Sequence, residues 1–177
     1  TIARRGEDRS SVQVQPAGGV QSIFSTEQAF AALKDDSSVV TWGGKDGGDS
    51  SCVRAQLSGN VQSVFSSMKA FAVVKGPGGS VVTWGDKDGG GDSSSVQVQL
   101  AGGVQAIHAI RNAFAALKAD GSVVTWGDAD VGGDSSDVAA QLASGVQSVT
   151  GNGQAFAAVK SDGSVVTWGD TEYGGDS

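Results

Sequence analysis

The sequence predicts an all-β protein built as an array of repeated units. A Trp-Gly pair occurs four times at a constant interval of 42 residues, beginning at Trp42, Trp84, Trp126 and Trp168. An interval of this length is typical of arrays in which each unit buries its apolar surface against its neighbour. Val-Val-Thr precedes each pair, and such a β-branched run favours a strand. In the last two units Asp-Gly separates this run from another apolar segment, which predicts a hairpin.

Three segments of each unit are expected to be strands. The first has the form Val-Gln-Ser-Ile, as at Val20, the second is Ala-Phe-Ala-Ala-Leu-Lys, as at Ala29, and the third is Val-Val-Thr-Trp. Ala and Leu favour helix in the second segment. We nevertheless assign a strand, because six residues are too few for a stable helix and a hairpin turn follows directly.

A weaker fourth strand is expected after the Trp-Gly pair, in a segment of the form Val-x-x-Gln-Leu at 53–57 and 138–142. Three to four short antiparallel strands in about 40 residues are typical of one propeller blade. The predicted fold class is therefore an all-β, β-propeller-type array of four units.

The chain is expected to form a single repeat domain over residues 1–177. The units fall at 19–59, 60–102, 103–145 and 146–177, and the last unit lacks its final segment. Residues 1–18 match the tail of a preceding unit, since 8–15 align with 92–99. Two arrangements remain open: a closed four-unit ring, in which the first segment completes the last unit, or a segment of a longer array.

The core of each unit resembles the regulator of chromosome condensation repeat. That family's pattern contains Ala-Leu, then Asp-Gly, Trp-Gly and a later glycine. In the third unit it matches Leu117, Asp120, Gly121, Val123, Trp126, Gly127 and Gly132, and Tyr173-Gly174 fits an aromatic-Gly variant. The resemblance covers all four units. It implies a β-propeller, typically of seven blades, used in exchange factors, ubiquitin-ligase adaptors and interaction platforms.

The units also depart from the family's pattern. Ala29, Ala70, Ala113 and Ala155 stand where the family has His, and Gly-Gly-Asp-Ser replaces Gly-Gln-Leu-Gly. The shorter units are similar to long arrays of unicellular, often photosynthetic, eukaryotes. The resemblance therefore implies the fold, but it carries no exchange-factor residues over to this chain.

Charge and hydropathy restrict the partners. The chain has 12 basic and 19 acidic residues and a net charge of −7, which would repel a phosphate backbone and argues against nucleic-acid binding. No apolar stretch approaches the roughly 18 residues of a membrane span. We expect a soluble protein without direct membrane insertion, and organellar and cytoplasmic locations both remain open.

The sequence offers little for catalysis, and we assign no catalytic residue and no cofactor. His108 is the single histidine, and its equivalents Phe24 and Phe65 indicate a packing position instead of a general base. Cys52 is the single cysteine, so no internal disulfide can form. No nucleophile-elbow or phosphate-binding glycine motif occurs. The chain is therefore predicted not to be an enzyme.

The acidic loops have two interpretations. Asp86-x-Asp88-x-x-x-Asp92 has the same spacing as the carboxylates beginning at Asp128 and Asp170. Carboxylates alternating around glycine are typical of calcium loops. Asp, Ser and Gly are equally typical of turns, in which the carboxylate satisfies backbone donors. We favour turn chemistry and assign no metal ligand, and calcium-dependent binding stays an alternative.

The segment between the first two strands varies from unit to unit while its flanks repeat. Variation on one face of a repeat array often marks a binding surface. Aromatic, Met and Arg side chains are enriched at interfaces. The candidate partner-contact residues are Phe24, Phe65, Met68, His108, Ile110 and Arg111. Unconstrained drift would produce the same variation, and the two interpretations stay open.

The four tryptophans are expected to pack between units, because a large aromatic at one strand position in every unit is typical of a core. A ligand-stacking set is the alternative. The sequence as a whole predicts a non-catalytic protein-interaction or scaffolding module. Such a module could serve as an accessory structural subunit docked on a larger complex, for example a photosynthetic one. The alternatives are a calcium-dependent binding module and an adaptor or exchange-factor-like domain of the repeat family.

Overall fold

A computed structural model describes residues 18–176, in which four three-stranded antiparallel sheets follow one another, one sheet per unit. In every sheet the strand order is the chain order, so the second strand is central. The strands are β1 Val20–Ser25, β2 Ala29–Lys34, β3 Val39–Gly43, β4 Val61–Ser66, β5 Ala70–Lys75, β6 Ser80–Gly85, β7 Val104–Ala109, β8 Ala113–Lys118, β9 Val123–Gly127, β10 Val146–Gly151, β11 Ala155–Lys160 and β12 Val165–Gly169.

The predicted fold class is confirmed as a β-propeller-type repeat array. The Ala-Phe-Ala-Ala-Leu-Lys segment is a strand in every unit, as we expected, and it is the central strand of its sheet. Its Phe lies opposite the Trp of the third strand, and the two rings stack with centroids 5.2 Å apart for Phe71 and Trp84. The first strand carries a bulge at the same Gln in every unit, for example between Val61 and Ser63.

The expected fourth strand is wrong within the described residues, since the Val-x-x-Gln-Leu segments form short helical turns. In the first unit Val53 and Leu57 are four residues apart, and one helical turn places both side chains on the same face. That face points into the core, where Leu57 is 2% exposed. A short α-helix lies at Ala139–Leu142, and 3-10 turns lie at Ser51–Val53, Ser94–Val96, Gln99–Ala101, Ala129–Val131, Ser136–Val138 and Thr171–Tyr173. Lys45–Gly48 and Lys87–Gly91 are turns that depart from helical geometry at Gly47 and Gly90.

The core lies between units instead of within them. Each of three apolar clusters combines the trailing face of one sheet, the buried Leu of the following helical tail and the leading face of the next sheet. We call each such contact a joint. In the joint between units 1 and 2, Leu33 and Val39 form the trailing face, and Val64, Phe71 and Trp84 form the leading face. The expectation that tryptophan packs between units is confirmed at Trp84, Trp126 and Trp168.

A hydrogen bond fixes the position of each joint tryptophan. The indole N–H donates to a glycine carbonyl in the preceding unit, from Trp84 to Gly47 at 2.9 Å, from Trp126 to Gly90 at 3.1 Å and from Trp168 to Gly132 at 3.2 Å. These glycines have φ between 93° and 110°, a region that other residues rarely adopt.

The two end faces of the array remain exposed. Phe30, on the leading face of unit 1, is 45% exposed, although its equivalent Phe71 is fully buried. Val165, on the trailing face of unit 4, is 54% exposed, although its equivalent Val39 is 8% exposed. The described residues therefore form an open array instead of a closed four-unit ring.

Candidate interaction surface

The loops between the first two strands of the four units form one continuous surface. We call this surface the loop ridge, and it comprises residues 26–28, 67–69, 110–112 and 152–154. The backbone N–H of Glu27 donates to the carbonyl of Met68 at 2.9 Å, and the N–H of Met68 donates to the carbonyl of Arg111 at 2.9 Å. The N–H of Arg111 donates in turn to the carbonyl of Gly153 at 3.1 Å. Backbone bonds thus connect the variable loops across all four units.

Side chains at the first position of these loops hold the turns in place. The hydroxyl of Ser67 is buried, accepts from the N–H of Ala70 at 3.0 Å and donates to the carbonyl of Gly89 at 2.7 Å. Thr26 and Asn152 accept from the equivalent N–H groups at 3.0 Å. Such bonds are typical of turn-forming Ser, Thr and Asn. The only sequence signal for this role is the recurrence of a polar residue at equivalent positions, Thr26, Ser67 and Asn152.

In unit 3 this first position holds an apolar residue. Ile110 is only 6% exposed and belongs to the apolar cluster between units 3 and 4. It lies so close to Gly151 that a Cβ added there would be 2.3 Å from its Cγ2 atom. Ile110 was a candidate contact residue, but its burial leaves it little surface for a partner, and its main contacts are with the core.

Met68 and Arg111 are the candidate residues at the accessible part of the ridge. The Nε–H group of Arg111 lies 3.1 Å from the Sδ atom of Met68, so the two side chains touch across neighbouring units. They line a groove of about 370 Å³ between the loops of units 1, 2 and 3. Its other lining residues are Ser25, Thr26, Glu27, Ser66, Ser67, Ala109 and Ile110. Arg111 and Glu27 are exposed and place opposite charges on the groove.

The other three candidates lie on the first strands beside the ridge. Phe24 and Phe65 are half-buried and pack against the joints that follow their units. His108 is half-buried at the equivalent position of β7, and burial lowers its pKa below the usual value for histidine. A lowered pKa keeps the imidazole neutral at pH 7. The structure therefore brings these side chains to one side of the array, partly inside the packing.

The acidic loops begin beside the ridge, where the N–H of Asp86 donates to the carbonyl of Lys69, and their leading carboxylates are already engaged. Asp86 accepts from the N–H of Gly89, and Asp128 from that of Asp130, at 2.9 and 3.0 Å. Asp170 accepts from Glu172 in the same way at 2.9 Å. Among residues 18–176, no three His, Cys, Asp or Glu side chains are grouped closely enough to hold a metal ion. The bonding observed in these loops is that of turns.

A larger groove of about 890 Å³ runs between the polar segments of units 2 and 3. Asp88, Asp92, Asp128 and Asp134 line it together with Lys87. The bonds from Ser94 lower the pKa of Asp92 and so favour its ionised form. This groove presents mostly negative charge, in contrast to the mixed charge of the ridge.

The fold, with its exposed loop ridge, is that of a β-propeller-type repeat protein. No family model matches the sequence, and no curated protein matches it. Solved structures do match. Prp20p from Saccharomyces cerevisiae, described with its binding to Gsp1p and histones, has a TM-score of 0.57 at 15% identity over 85% of this chain and 45% of that chain.

Two further similar structures come from other organisms. Human WBSCR16 has a TM-score of 0.56 at 16% identity over 85% of this chain and 47% of that chain. The ectodomain of the Physcomitrella patens receptor kinase CR4 has a TM-score of 0.54 at 16% identity over 89% of this chain and 44% of that chain. The chain thus spans less than half the length of each. These likenesses show a fold similar to the regulator of chromosome condensation propeller.

No helix within residues 18–176 combines the length and apolar composition needed to cross a bilayer.

Proposed function

We propose that this chain is a non-catalytic protein-interaction module that serves as an accessory scaffolding subunit of a larger assembly, with the loop ridge as its partner-binding surface. The observation that carries the proposal is the row of backbone hydrogen bonds through Glu27, Met68, Arg111 and Gly153. Side chains that differ between units are thereby held on a pre-organised frame. Pre-organisation reduces the entropy that binding would otherwise cost.

The chemistry of the ridge fits a protein partner. Met68 and Arg111 supply a polarisable side chain and an exposed guanidinium, both of which are enriched at protein interfaces. Glu27 adds a negative charge to the same groove. We expect the partner to present an apolar side chain for Met68 and a carboxylate for Arg111.

An affinity experiment tests the proposal. The wild-type chain and the double variant Met68→Glu, Arg111→Glu are used as baits in an extract of the source, and bound proteins are quantified by mass spectrometry. We expect at least about tenfold less of the specific partner on the variant, equivalent to about 1.4 kcal/mol of binding free energy. Val98→Glu is the matched control, because Val98 is 89% exposed and lies outside the ridge. Equal recovery of the partner on all three baits would mean that the ridge is not the partner-binding surface.

The alternatives have less support. A calcium-dependent module would need carboxylates free to converge on an ion, whereas Asp86, Asp128 and Asp170 accept bonds from their own loops. An exchange-factor-like role is suggested by the fold shared with Prp20p, whose structure is described with Gsp1p. At 15% identity that likeness supports the shared fold. It identifies no residues of this chain that would carry out exchange activity.

A further inference from the structure

The third strand of unit 3, β9, has a free outer edge. Propeller blades usually have four strands, whereas each sheet of this array ends at its third strand. In an antiparallel pair, opposite residues alternately exchange backbone hydrogen bonds and make none. The N–H of Lys118 donates to the carbonyl of Ser122 at 2.9 Å, and this bond sets the alternation between β8 and β9. Val124 and Trp126 therefore bond to β8, whereas the backbone groups of the residues between and before them point away from it.

Thr125 lies in the middle of this outer edge and is only 8% exposed. Its hydroxyl bonds to that of Ser135 at 2.9 Å, but none of the described residues is hydrogen-bonded to its backbone N–H or C=O. In unit 1 the equivalent edge is partly used, because the N–H of Val39 donates to the carbonyl of Leu57 at 2.9 Å. Val123, the equivalent of Val39, makes no such bond within residues 18–176. Few buried backbone groups in proteins lack a partner, so this edge is suited to receive one.

The groove of about 890 Å³ between units 2 and 3 runs along this edge, and all five residues of β9 line it. Its walls are the helical tails of the two units, including Ser95 and Gln99 on one side and Ser136 and Ala139 on the other. The groove therefore gives access to the edge of β9 along the whole strand.

The groove also selects the charge of its ligand. Asp88, Asp92, Asp128 and Asp134 line it, and Lys87 is the only basic side chain among the described residues that do so. Asp88, Asp92 and Asp134 are exposed. Complementary charge both attracts a partner and excludes partners of the wrong sign. A segment that carries Lys or Arg is thus favoured over an acidic one.

We propose that this groove binds an extended, basic segment of a partner protein, which pairs its backbone with the outer edge of β9 as a fourth strand. Main-chain bonds to Val123 and Thr125 supply affinity, and the carboxylates select the basic side chains. This groove shares no lining residue with the groove of the loop ridge. The proposal therefore holds or fails independently of the function assigned to the ridge.

The probe is a short, end-capped peptide of alternating Lys and Val, and a peptide of alternating Glu and Val is the control of opposite charge. Fluorescence anisotropy of the labelled peptides measures affinity. NMR of the chain measures the hydrogen exchange of each amide. We expect the Lys-Val peptide to bind and to slow exchange at Val123 and Thr125 by at least about tenfold. Exchange at Val124 and Trp126 should change little, because those amides already bond to β8.

Charge variants place the peptide in the groove. Asp88→Lys, Asp134→Asn should weaken binding at least about tenfold, equivalent to about 1.4 kcal/mol. Asparagine keeps an acceptor oxygen for the N–H of Ser136, which Asp134 holds at 2.9 Å. Asp35→Lys, Glu172→Gln is the matched control, because it makes the same change in net charge at exposed residues outside the groove. Circular dichroism verifies that both variants fold, and the control should bind as tightly as the wild type.

Three results would overturn the proposal. One is a wild-type chain that binds neither peptide, or binds the Glu-Val peptide as tightly as the Lys-Val peptide. Another is binding without slower exchange at Val123 and Thr125, which would mean attraction by charge without an added strand. The third is equal weakening by the groove variant and its matched control. Met68→Glu, Arg111→Glu should leave peptide binding unchanged, so failure here would leave the proposal for the ridge intact.

Discussion

At the scale of residues, the joints depend on a few side chains that recur in register. The Trp-Gly pair combines a buried indole with a glycine that must adopt positive φ, as in Gly127 at 112°. A Cβ on Gly127 would lie 2.4 Å from the carbonyl oxygen of Asn112, so only glycine fits beside the start of the neighbouring strand β8. The repeated dipeptide therefore reflects packing and backbone geometry, which explains why it marks every unit.

Trp126→Ala is expected to destabilise the fold strongly. The side chain is 2% exposed and donates to Gly90, so its removal leaves a cavity and an unpaired carbonyl. The expected loss is about 3–5 kcal/mol, measured by equilibrium urea unfolding. Trp42→Ala is the matched control, because Trp42 lies on an exposed end face, and we expect less than half of that loss. Equal losses would contradict the role assigned to the joints.

Gly132→Ala tests the steric fit of a joint. Gly132 has φ +110°, and an added Cβ would be 2.8 Å from the ring of Phe156. Gly163→Ala is the control, since Gly163 has φ +84° but no atom within 4 Å of an added Cβ. Both changes carry backbone strain of about 1–2 kcal/mol. We expect an additional loss of about 1–3 kcal/mol at Gly132 alone, from overpacking. The difference in unfolding free energy between Gly132→Ala and Gly163→Ala measures the contribution of the contact with Phe156. Equal unfolding free energies would argue against a tight fit at Gly132.

The hairpin carboxylates predict how stability depends on pH. Asp120 and Asp162 accept from the hydroxyl and the N–H of Ser122 and Ser164, and these bonds lower the pKa of each carboxyl. A folded-state pKa below the unfolded value of about 3.9 stabilises the fold fully above that pH. The contribution is lost as the pH falls through 3.9 towards the lower folded pKa.

The corresponding variant is Asp120→Asn, Asp162→Asn. Asparagine retains an acceptor oxygen for the turn but does not titrate in this range, so the decline of the unfolding midpoint between about pH 5 and 2 should be shallower than in the wild type. Thermal unfolding across this range measures the slope. An unchanged slope would mean that the turns do not depend on the charge of these carboxylates.

At the scale of elements, the sequence predicted the strands well because three local signals agreed. β-branched runs, hairpin turns and the fixed period all pointed to the same three segments, and tertiary packing reinforces that agreement. The Val-x-x-Gln-Leu tails were misassigned because a strand and a single helical turn can both bury two apolar residues in so short a segment. The helical turn is favoured over the strand because Leu100 and its equivalents pack against two adjacent sheets. That contact depends on tertiary structure and cannot be read from the segment alone.

The acidic loops provide an element-scale prediction about metal. Because Asp86, Asp128 and Asp170 accept bonds from backbone N–H groups of their own loops, calcium would have to disrupt those bonds to bind. We expect the thermal unfolding midpoint to be the same in excess calcium and in a chelator. A midpoint raised by calcium, with no change in magnesium, would restore the calcium-dependent module.

The candidate site could be predicted only in part, for a similar reason. The variability of the loops was visible in the sequence and led to Met68 and Arg111, which do lie on the ridge. Sequence could not show that Ile110 turns inward, because the space it fills is created by Gly151 of the next unit. Nor could it show the backbone bonds between loops, which depend on how neighbouring units are oriented.

At the scale of the whole molecule, the array combines joints that hold the units together with a ridge whose side chains differ between units. Units in such arrays contact mainly their neighbours, and stability is approximately the sum of unit and joint contributions. The exposed side chains of the ridge, such as that of Arg111, can therefore change without loss of the fold. This separation of packing from variable surface is what we expect of a scaffolding module.

Native size in an extract of the source, by gel filtration with mass spectrometry of co-eluting proteins, tests the proposed scaffolding role most directly. We expect the chain to elute well above its own 17.6 kDa together with defined partner proteins. We also expect Met68→Glu, Arg111→Glu to shift it out of that complex. Elution as a single chain, or as an oligomer containing only copies of itself, would contradict the account of this protein as a subunit docked on a larger assembly.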